Sequence, residues 1–179
     1  MRVLILHGWN SDSKDNWFPW LKEKLEAKGI VVYCPDLPNS DSPQQAAWLQ
    51  KINKVIDSDL VIVGHSLGTI AALRLLENLK TRQKIIATIL VAGFTQDFGV
   101  KAISDFFKTP FNWNKIRKNS AKFVVISSDS DPYLPISEGQ KLAENLNAEF
   151  IIEKNAGHID IESGFSKYDR VLELVLKSV

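Results

Sequence analysis

The stretch Leu60-Val61-Ile62-Val63-Gly64-His65-Ser66-Leu67-Gly68 sets the fold class of this chain. Its first four residues form a short, wholly apolar run, which predicts a buried strand. A helical pattern follows Ser66, with apolar positions at Ile70, Leu73, Leu76 and Leu79. A sharp strand-to-helix turn holds a serine in strained backbone geometry, and glycines on both sides remove the side chains that would clash there. We therefore predict a nucleophile elbow that presents Ser66; the alternative is a glycine-lined turn whose serine has no chemical role.

Short apolar runs alternate with longer amphipathic segments along the chain, a pattern typical of parallel strands linked by helices. Six runs predict strands, at Val3–Leu6, Ile30–Tyr33, Leu60–Val63, Ile85–Val91, Phe123–Ser127 and Glu149–Ile152. These runs are nearly continuous in apolar residues, as expected of strands covered on both faces. The predicted fold class is therefore α/β, a three-layer αβα sandwich around a mainly parallel sheet.

Helical patterns fill the intervals between the strands, and their ends carry recognisable signals. Gly29 is placed to end the first helix, and Pro43 is placed to open the second. The predicted helices include Trp17 to Leu25, Pro43 to Ile56, a segment that starts right after Ser66 and carries Leu79, Ser137 to Asn147, and Phe165 to the C-terminus.

The region from Gly93 to Ser120 is the least regular part of the sequence. It is rich in aromatic residues, namely Phe94, Phe98, Phe106, Phe107, Phe111 and Trp113, and Pro110 interrupts it. A connection of this length is longer than a usual strand-to-strand crossover and is expected to lie over the sheet edge. Two interpretations stay open: the rings pack the core, or some of them line a substrate pocket.

The bulk composition limits the function classes. A length of 179 residues suits one domain spanning residues 1–179, and a net charge of +1 offers no broad field for nucleic acid or an anionic membrane. The one cysteine, Cys34, has no disulfide partner in the chain, and no Cys/His spacing resembles a metal site. No signal-like or membrane-spanning run is present, so we expect a cytoplasmic protein without membrane association and with no metal or organic cofactor.

A serine nucleophile needs a base, and the chain has three histidines. His65 is adjacent to Ser66, so its side chain leaves the turn in another direction. His7 ends the first strand, where it resembles part of an oxyanion loop. His158 follows the last predicted strand, and a loop there reaches back over the sheet toward Ser66. We therefore predict His158 as the base.

The acid that orients this histidine is expected between the serine and the histidine in the chain. The segment after the fifth strand offers Asp129 and Asp131. Asp131 is preferred because it is followed by Pro132 and, after two further residues, by Pro135, as in the acid loop of many α/β hydrolases. Asp129 would then cap its own turn with its carboxylate.

An oxyanion that forms on attack by Ser66 requires two N–H donors. The backbone N–H of Leu67, directly after the nucleophile, is the first expected donor. The second is expected from the loop after the first strand, where Trp9 is the first choice and Asn10 the second. Gly8 has no side chain, so the backbone at this position can approach the substrate closely.

With these motifs in place, the sequence resembles the retinoblastoma-binding protein 9 family of small serine hydrolases, within the α/β-hydrolase superfamily. The resemblance spans nearly the whole chain and rests on four short motifs, namely His7-Gly8-Trp9, Gly64-His65-Ser66, Ser128-Asp129-Ser130-Asp131-Pro132 and Gly157-His158. It implies a compact hydrolase with six strands in the order 2-1-3-4-5-6, little or no lid, and a triad of Ser66, Asp131 and His158.

One departure from that family concerns its protein partner. The retinoblastoma contact is made through a Leu-x-Cys-x-Glu motif, whereas Cys34 here lies in Val32-Tyr33-Cys34-Pro35-Asp36. Retinoblastoma binding is therefore not implied for this chain.

The sequence thus predicts a serine hydrolase that cleaves a small ester, thioester or amide, with carboxylesterase-type activity favoured. The expected partner is a small-molecule acyl substrate, and the natural substrate and oligomeric state stay open. A peptidase or acyltransferase is a further option among enzymes. The competing hypothesis is a binding module that keeps the hydrolase fold without turnover.

Overall fold

The structure is a computed structural model that describes residues 2–56, 59–79 and 85–178. Its six strands are β1 (Arg2–Leu6), β2 (Val31–Tyr33), β3 (Leu60–His65), β4 (Ala87–Val91), β5 (Phe123–Ser128) and β6 (Glu149–Glu153). They form one sheet in the order β2-β1-β3-β4-β5-β6, and every neighbouring pair is parallel. The predicted parallel sheet and its strand order are confirmed.

Within the described residues, six α-helices flank this sheet. They are α1 (Phe18–Glu26), α2 (Gln45–Ile52), α3 (Leu67–Asn78), α4 (Trp113–Lys118), α5 (Ile136–Leu146) and α6 (Asp169–Lys177), with short 3₁₀ helices at Asn53–Val55 and Lys101–Phe107. Successive strand residues point to opposite faces. Leu4 therefore belongs to a core cluster that contains residues of α2, α3, α4 and α5, whereas Val3 belongs to a second cluster that contains residues of α1 and α6. The arrangement is therefore the three-layer sandwich that the sequence predicts.

The central strands are covered on both sides, and this burial explains their continuous apolar sequence. All residues of β3, β4 and β5 are buried, whereas β2 and β6, at the two edges, are partly exposed. In a parallel sheet all carboxyl ends lie at one edge, where ligands bind in open α/β folds. Ser66 follows β3 at that edge, beside the end of β4, because His65 pairs with Val91.

Several predicted boundaries differ from the observed ones; the second helix, for example, spans Gln45–Ile52 instead of Pro43 to Ile56. Two of the differences have identifiable reasons. The fourth strand begins at Ala87, because Ile85 instead forms an isolated bridge with Ser120, in the segment that leads into β5. The last helix begins at Asp169 instead of Phe165, after a turn in which Tyr168 is buried. The final residue of that predicted helix lies outside the described residues.

The aromatic region of residues 93–120 packs mainly against α3. Its rings contact one another in a chain from Phe94 through Phe107 and Phe111 to Trp113. Arg74 of α3, which is 1% exposed, lies over the Phe111 ring and donates to the carbonyls of Phe106 and Thr109. Core packing therefore accounts for most of these rings, and Phe98 is the exposed exception at 44%.

Candidate active site

The turn at Ser66 has the strained geometry expected of a nucleophile elbow. Ser66 joins the end of β3 to the start of α3 with a φ of 52° and a ψ of −124°. A positive φ is uncommon for a residue with a side chain and persists only where the surrounding structure enforces it. The Ser66 amide donates to the carbonyl of Val91 at 2.9 Å, which ties this turn to the end of β4.

The glycines around Ser66 are required by backbone packing. A Cβ on Gly64 would lie 2.7 Å from the carbonyl oxygen of Gly68, and a Cβ on Gly68 would lie 2.2 Å from that of Leu6. Both separations are too short for any side chain. A Cβ on Gly8 would lie 3.0 Å from Cβ of Ser66 and 3.5 Å from its Oγ, so the loop after β1 passes directly beside the serine hydroxyl.

Two backbone amides near Ser66 are candidate oxyanion donors. Leu67 is the first residue of α3, and the first amides of a helix have no acceptor within the helix. Within residues 2–56, 59–79 and 85–178, the Trp9 amide makes no hydrogen bond. The Asn10 amide donates to the carbonyl of Ser40 at 2.8 Å, and this bond favours Trp9 over Asn10 as the second donor.

Asp131 and His158 are brought together at the carboxyl edge of the sheet. His158 Nδ1 lies 2.7 Å from Asp131 Oδ2, and the two side chains are 11% and 3% exposed. Because a carboxylate only accepts, Nδ1 carries the proton and the Nε2 lone pair is left to take a proton. Asp131 Oδ1 accepts the amides of Tyr133 and Leu134 at 2.9 and 3.1 Å, which fixes the carboxylate.

The loop that carries His158 is bound to the acid loop by side chains that accept backbone amides. The pairs are Asp129 with Asn155 at 2.7 Å, Ser128 with Ala156 at 3.2 Å and Ser130 with Gly157 at 3.1 Å. The prediction that Asp129 caps its own turn is therefore wrong, because its carboxylate is committed to the neighbouring loop. Asp131 provides that cap in addition to its contact with His158. The sequence motifs predict no role for the serines of this loop, although their clustering in Ser127-Ser128-Asp129-Ser130 is a signal of such contacts.

The other two histidines make hydrogen bonds to the backbone through their rings. His65 Nε2 donates to the carbonyl of His158 at 2.9 Å, and burial lowers the pKa of His65 to about 4. His7 Nε2 accepts the Leu37 amide at 2.8 Å while Nδ1 donates to the Gly8 carbonyl at 2.8 Å, and burial also lowers the pKa of His7. Both rings are therefore neutral parts of the framework.

Several exposed apolar side chains surround this edge of the sheet. Trp9, Phe98, Tyr133 and Ile161 follow β1, β4, β5 and β6 and are each between 39% and 64% exposed. The Tyr133 ring contacts the His158 ring edge-on at a centroid distance of 5.1 Å. Two concavities lie elsewhere: one of about 530 Å³ is lined by residues 110–114 and Arg117, and one of about 410 Å³ lies at the amino ends of β5 and β6.

Other chemistry-bearing groups are sparse in the part of the chain that the structure describes. There, no group of three or more His, Cys, Asp or Glu side chains forms a metal-binding cluster. The Cys34 thiol, directly after β2, has a pKa raised to about 12 by burial, which leaves it a poor nucleophile. None of the helices within residues 2–56, 59–79 and 85–178 has the length and apolar character needed to cross a bilayer.

The parallel sheet, the strained serine after β3 and the acid and histidine loops after β5 and β6 together define an α/β-hydrolase. The chain belongs to the serine hydrolase family, whose model matches residues 3–177. The Bacillus subtilis protein YdeN is 30% identical over 178 residues, which cover 97% of this chain and 94% of YdeN. The serine hydrolase RBBP9 of Rattus norvegicus is 29% identical over 175 residues, covering 95% and 91% of the two chains.

Solved structures agree with this assignment. The crystal structure of the ydeN gene product from B. subtilis aligns with a TM-score of 0.94 and covers 99% of this chain and 97% of that chain, at 30% identity. A monoacylglycerol lipase of Paleococcus ferrophilus aligns with a TM-score of 0.73 at 16% identity and covers 99% and 95% of the two chains. At that identity, the similarity to the lipase extends to the fold alone.

Proposed function

We propose that this chain cleaves a small carboxylic ester, thioester or amide through an acyl-enzyme on Ser66, with carboxylesterase-type activity as its main reaction. The observation that carries the proposal is the 2.7 Å hydrogen bond between His158 Nδ1 and Asp131 Oδ2. That bond lies beside the elbow, since the rings of His158 and His65, the residue before Ser66, are 5.0 Å apart.

In the acylation step, Ser66 Oγ attacks the substrate carbonyl carbon while His158 Nε2 takes the hydroxyl proton. Asp131 holds the ring in the tautomer with a proton on Nδ1 and stabilises the imidazolium that forms. The imidazolium then gives its proton to the leaving alcohol, thiol or amine. The leaving group departs and an ester on Ser66 remains.

Deacylation repeats these steps with water as the nucleophile. His158 Nε2 takes a proton from water, the hydroxide adds to the acyl carbon, and the Ser66 oxygen leaves with a proton returned by His158. The backbone amides of Trp9 and Leu67 donate to the oxyanion in both tetrahedral intermediates, and the loss of one such donor costs about a hundred- to thousandfold in rate. The proposed reaction uses only side chains, backbone and water.

Labelling with a fluorophosphonate probe tests this function. The wild-type protein is expected to become covalently labelled, whereas Ser66→Ala is not labelled. Ser137→Ala is the matched control, because Ser137 is an exposed serine of α5, and it is expected to label like the wild type. Equal labelling of wild type and Ser66→Ala would show that another residue reacts with the probe and would contradict Ser66 as the nucleophile, whereas labelling of neither would favour the non-catalytic binding module.

A further inference from the structure

The backbone around His158 is held in an unfavourable conformation. Asn155, Gly157 and Ile159 have φ angles of 53°, 53° and 56°. Ile159 is β-branched and fully buried, and a positive φ in such a residue is a genuine outlier that neighbouring structure must enforce. Since Ile159 directly follows His158, whatever enforces this conformation also sets the direction of the imidazole.

Two buried side chains donate to consecutive carbonyls at this point. His65 Nε2 donates to the carbonyl of His158 at 2.9 Å, and Trp17 Nε1 donates to the carbonyl of Ile159 at 3.0 Å. His65 is 3% exposed and Trp17 is fully buried. Buried hydrogen bonds of this kind are expensive to lose, because the carbonyl left behind has no water to replace the donor.

The two donors also contact each other and connect distant parts of the chain. Their rings meet edge-on at a centroid distance of 6.0 Å, and Trp17 further contacts Phe18 and Tyr168. Trp17 precedes α1, whereas His65 is the residue next to Ser66. A hydrogen bond from His65 to His158 therefore joins the turn of the nucleophile to the backbone of the base.

We propose that His65 and Trp17 are positioning residues: together they hold the consecutive carbonyls of His158 and Ile159 and so set the His158 imidazole against Ser66. We call this pair the carbonyl clamp. Asp131 fixes the rotation of the ring, and the clamp fixes the backbone from which the ring projects. The clamp rests on the proposed function of Ser66 and His158, and it deepens that function by adding two residues that do not touch the substrate.

Trp17→Phe tests the clamp, because phenylalanine keeps an aromatic ring in the core and lacks the Nε1 donor. The matched control is Trp48→Phe: Trp48 is also fully buried, and its Nε1 donates at 2.8 Å to the carbonyl of Pro38, in a loop that carries none of the proposed catalytic residues. Both variants are expected to lower the urea midpoint similarly. Trp17→Phe is expected to lower kcat for p-nitrophenyl acetate by about ten- to hundredfold, with KM nearly unchanged, because small misplacements of a catalytic group are costly.

A conservative substitution of His65 is expected to keep the hydrogen bond to the His158 carbonyl. The amide of glutamine in His65→Gln supplies an N–H near the position of Nε2, whereas His65→Leu supplies none. The clamp predicts that His65→Gln keeps most of kcat and that His65→Leu loses it as Trp17→Phe does. Equal kcat losses in Trp17→Phe and Trp48→Phe, or in His65→Gln and His65→Leu, would overturn the clamp.

A readout without turnover separates the clamp from the proposed reaction. The Nδ1 proton of His158, which is held by Asp131, is followed by proton NMR in the wild type and in each variant. It is expected to shift or broaden in Trp17→Phe and His65→Leu and to keep its position in Trp48→Phe and His65→Gln. An unchanged resonance in all four variants would refute the clamp, whereas failure of Ser66 labelling would refute only the proposed function.

Discussion

Asp131 Oδ2 accepts the Nδ1 proton of His158 at 2.7 Å, although 27 residues separate the two in the chain. This contact belongs to a set in which four consecutive residues of one loop bind four consecutive residues of another. The set pairs residues 128–131 with residues 155–158. Only the Asp131 contact is made by a histidine side chain; the others hold backbone amides.

Substitutions of Asp131 and Asp129 are expected to differ in effect, because Asp131 accepts from a histidine ring and Asp129 from a backbone amide. Asp131→Asn is expected to lower kcat by about three to four orders of magnitude, because the amide no longer enforces the productive tautomer of the histidine. Asp129→Asn is the matched control, since its amide oxygen still accepts the Asn155 amide. It is expected to lower kcat less than about tenfold and to act mainly on stability. Comparable kcat losses in steady-state ester hydrolysis would show that Asp131 has been misassigned.

Gly8→Ala places a methyl group against the nucleophile. Its Cβ would lie 3.0 Å from Ser66 Cβ and 3.5 Å from Oγ. The substitution needs no unusual backbone angle, so the protein is expected to fold with a melting temperature within a few degrees of the wild type. Fluorophosphonate labelling is expected to slow by about a hundredfold, because the methyl group disturbs the oxyanion loop. A labelling rate like that of the wild type would argue against an oxyanion role for the Gly8–Trp9 loop.

The stability of the fold is expected to fall between neutral pH and about pH 4 because His65 is buried. Burial lowers its pKa from 6.5 to about 4, so in this window the unfolded chain binds a proton that the folded protein does not, and stability decreases as pH decreases. A difference of this size corresponds to about 3 kcal/mol. Urea unfolding at several pH values should give a flatter profile for His65→Gln, with a remaining slope from His7, whose pKa burial lowers in the same direction.

Two hydrogen-bonded carboxylates act in the same direction at the acidic end of this window. Burial alone would raise the pKa of Glu138 and of Asp160, but hydrogen bonds lower both below their ordinary values of 4.5 and 3.8. Their contributions are lost as the pH falls from these ordinary values downward, and both carboxylates are also present in His65→Gln, so the difference between the two profiles reports on His65. Identical pH profiles for wild type and His65→Gln would contradict a neutral, buried His65.

Arg74 is expected to matter for stability and little for chemistry. Its guanidinium is 1% exposed, pairs with Glu77 and donates to two carbonyls of the aromatic region. Arg74→Met leaves these groups without their donor and is expected to lower the free energy of unfolding by about 3–5 kcal/mol. Arg170→Met removes a more exposed pair with Glu153 and is expected to cost less than about 1 kcal/mol. Equal losses in urea unfolding would show that the aromatic region does not depend on Arg74.

The few exposed apolar side chains around the candidate site predict a preference for short acyl groups. A series of p-nitrophenyl esters of increasing acyl length, run beside aminoacyl arylamides, measures this through kcat/KM. The value is expected to be highest for short chains, because a long chain would find little apolar surface beyond Trp9, Phe98 and Tyr133. A steady rise with chain length would contradict the proposed small substrate, and faster cleavage of the arylamides would move the assignment from esterase to amidase.

The fold and the main candidate residues could be predicted because their signals are local. The apolar run of β3, the glycines around Ser66 and the helical pattern after it lie within 20 residues of one another. His158 followed by elimination among three histidines, and Asp131 followed from the proline spacing of its loop. Each of these inferences needs only the chain order that an α/β-hydrolase imposes.

The contacts that sequence could not predict join residues far apart in the chain. Trp17 and Ile159 are 142 residues apart, and the helical spacing of Trp17 indicates only a buried stripe. The Asp129 side chain was assigned to its own turn because a local cap is the usual role of an aspartate there. Its actual partner, the Asn155 amide, becomes available only once β5 and β6 lie side by side. The hydrogen bond from the Asn10 amide to the Ser40 carbonyl likewise depends on the position of a loop, which the sequence periodicity does not predict.

Rapid acid quenching during the reaction with p-nitrophenyl acetate, followed by peptide mapping, tests whether Ser66 is the nucleophile. We expect a burst of p-nitrophenol and an acetyl group on the peptide that contains Ser66, with both absent in Ser66→Ala. Acetyl groups on other residues, or a burst that persists in Ser66→Ala, would contradict Ser66 as the nucleophile.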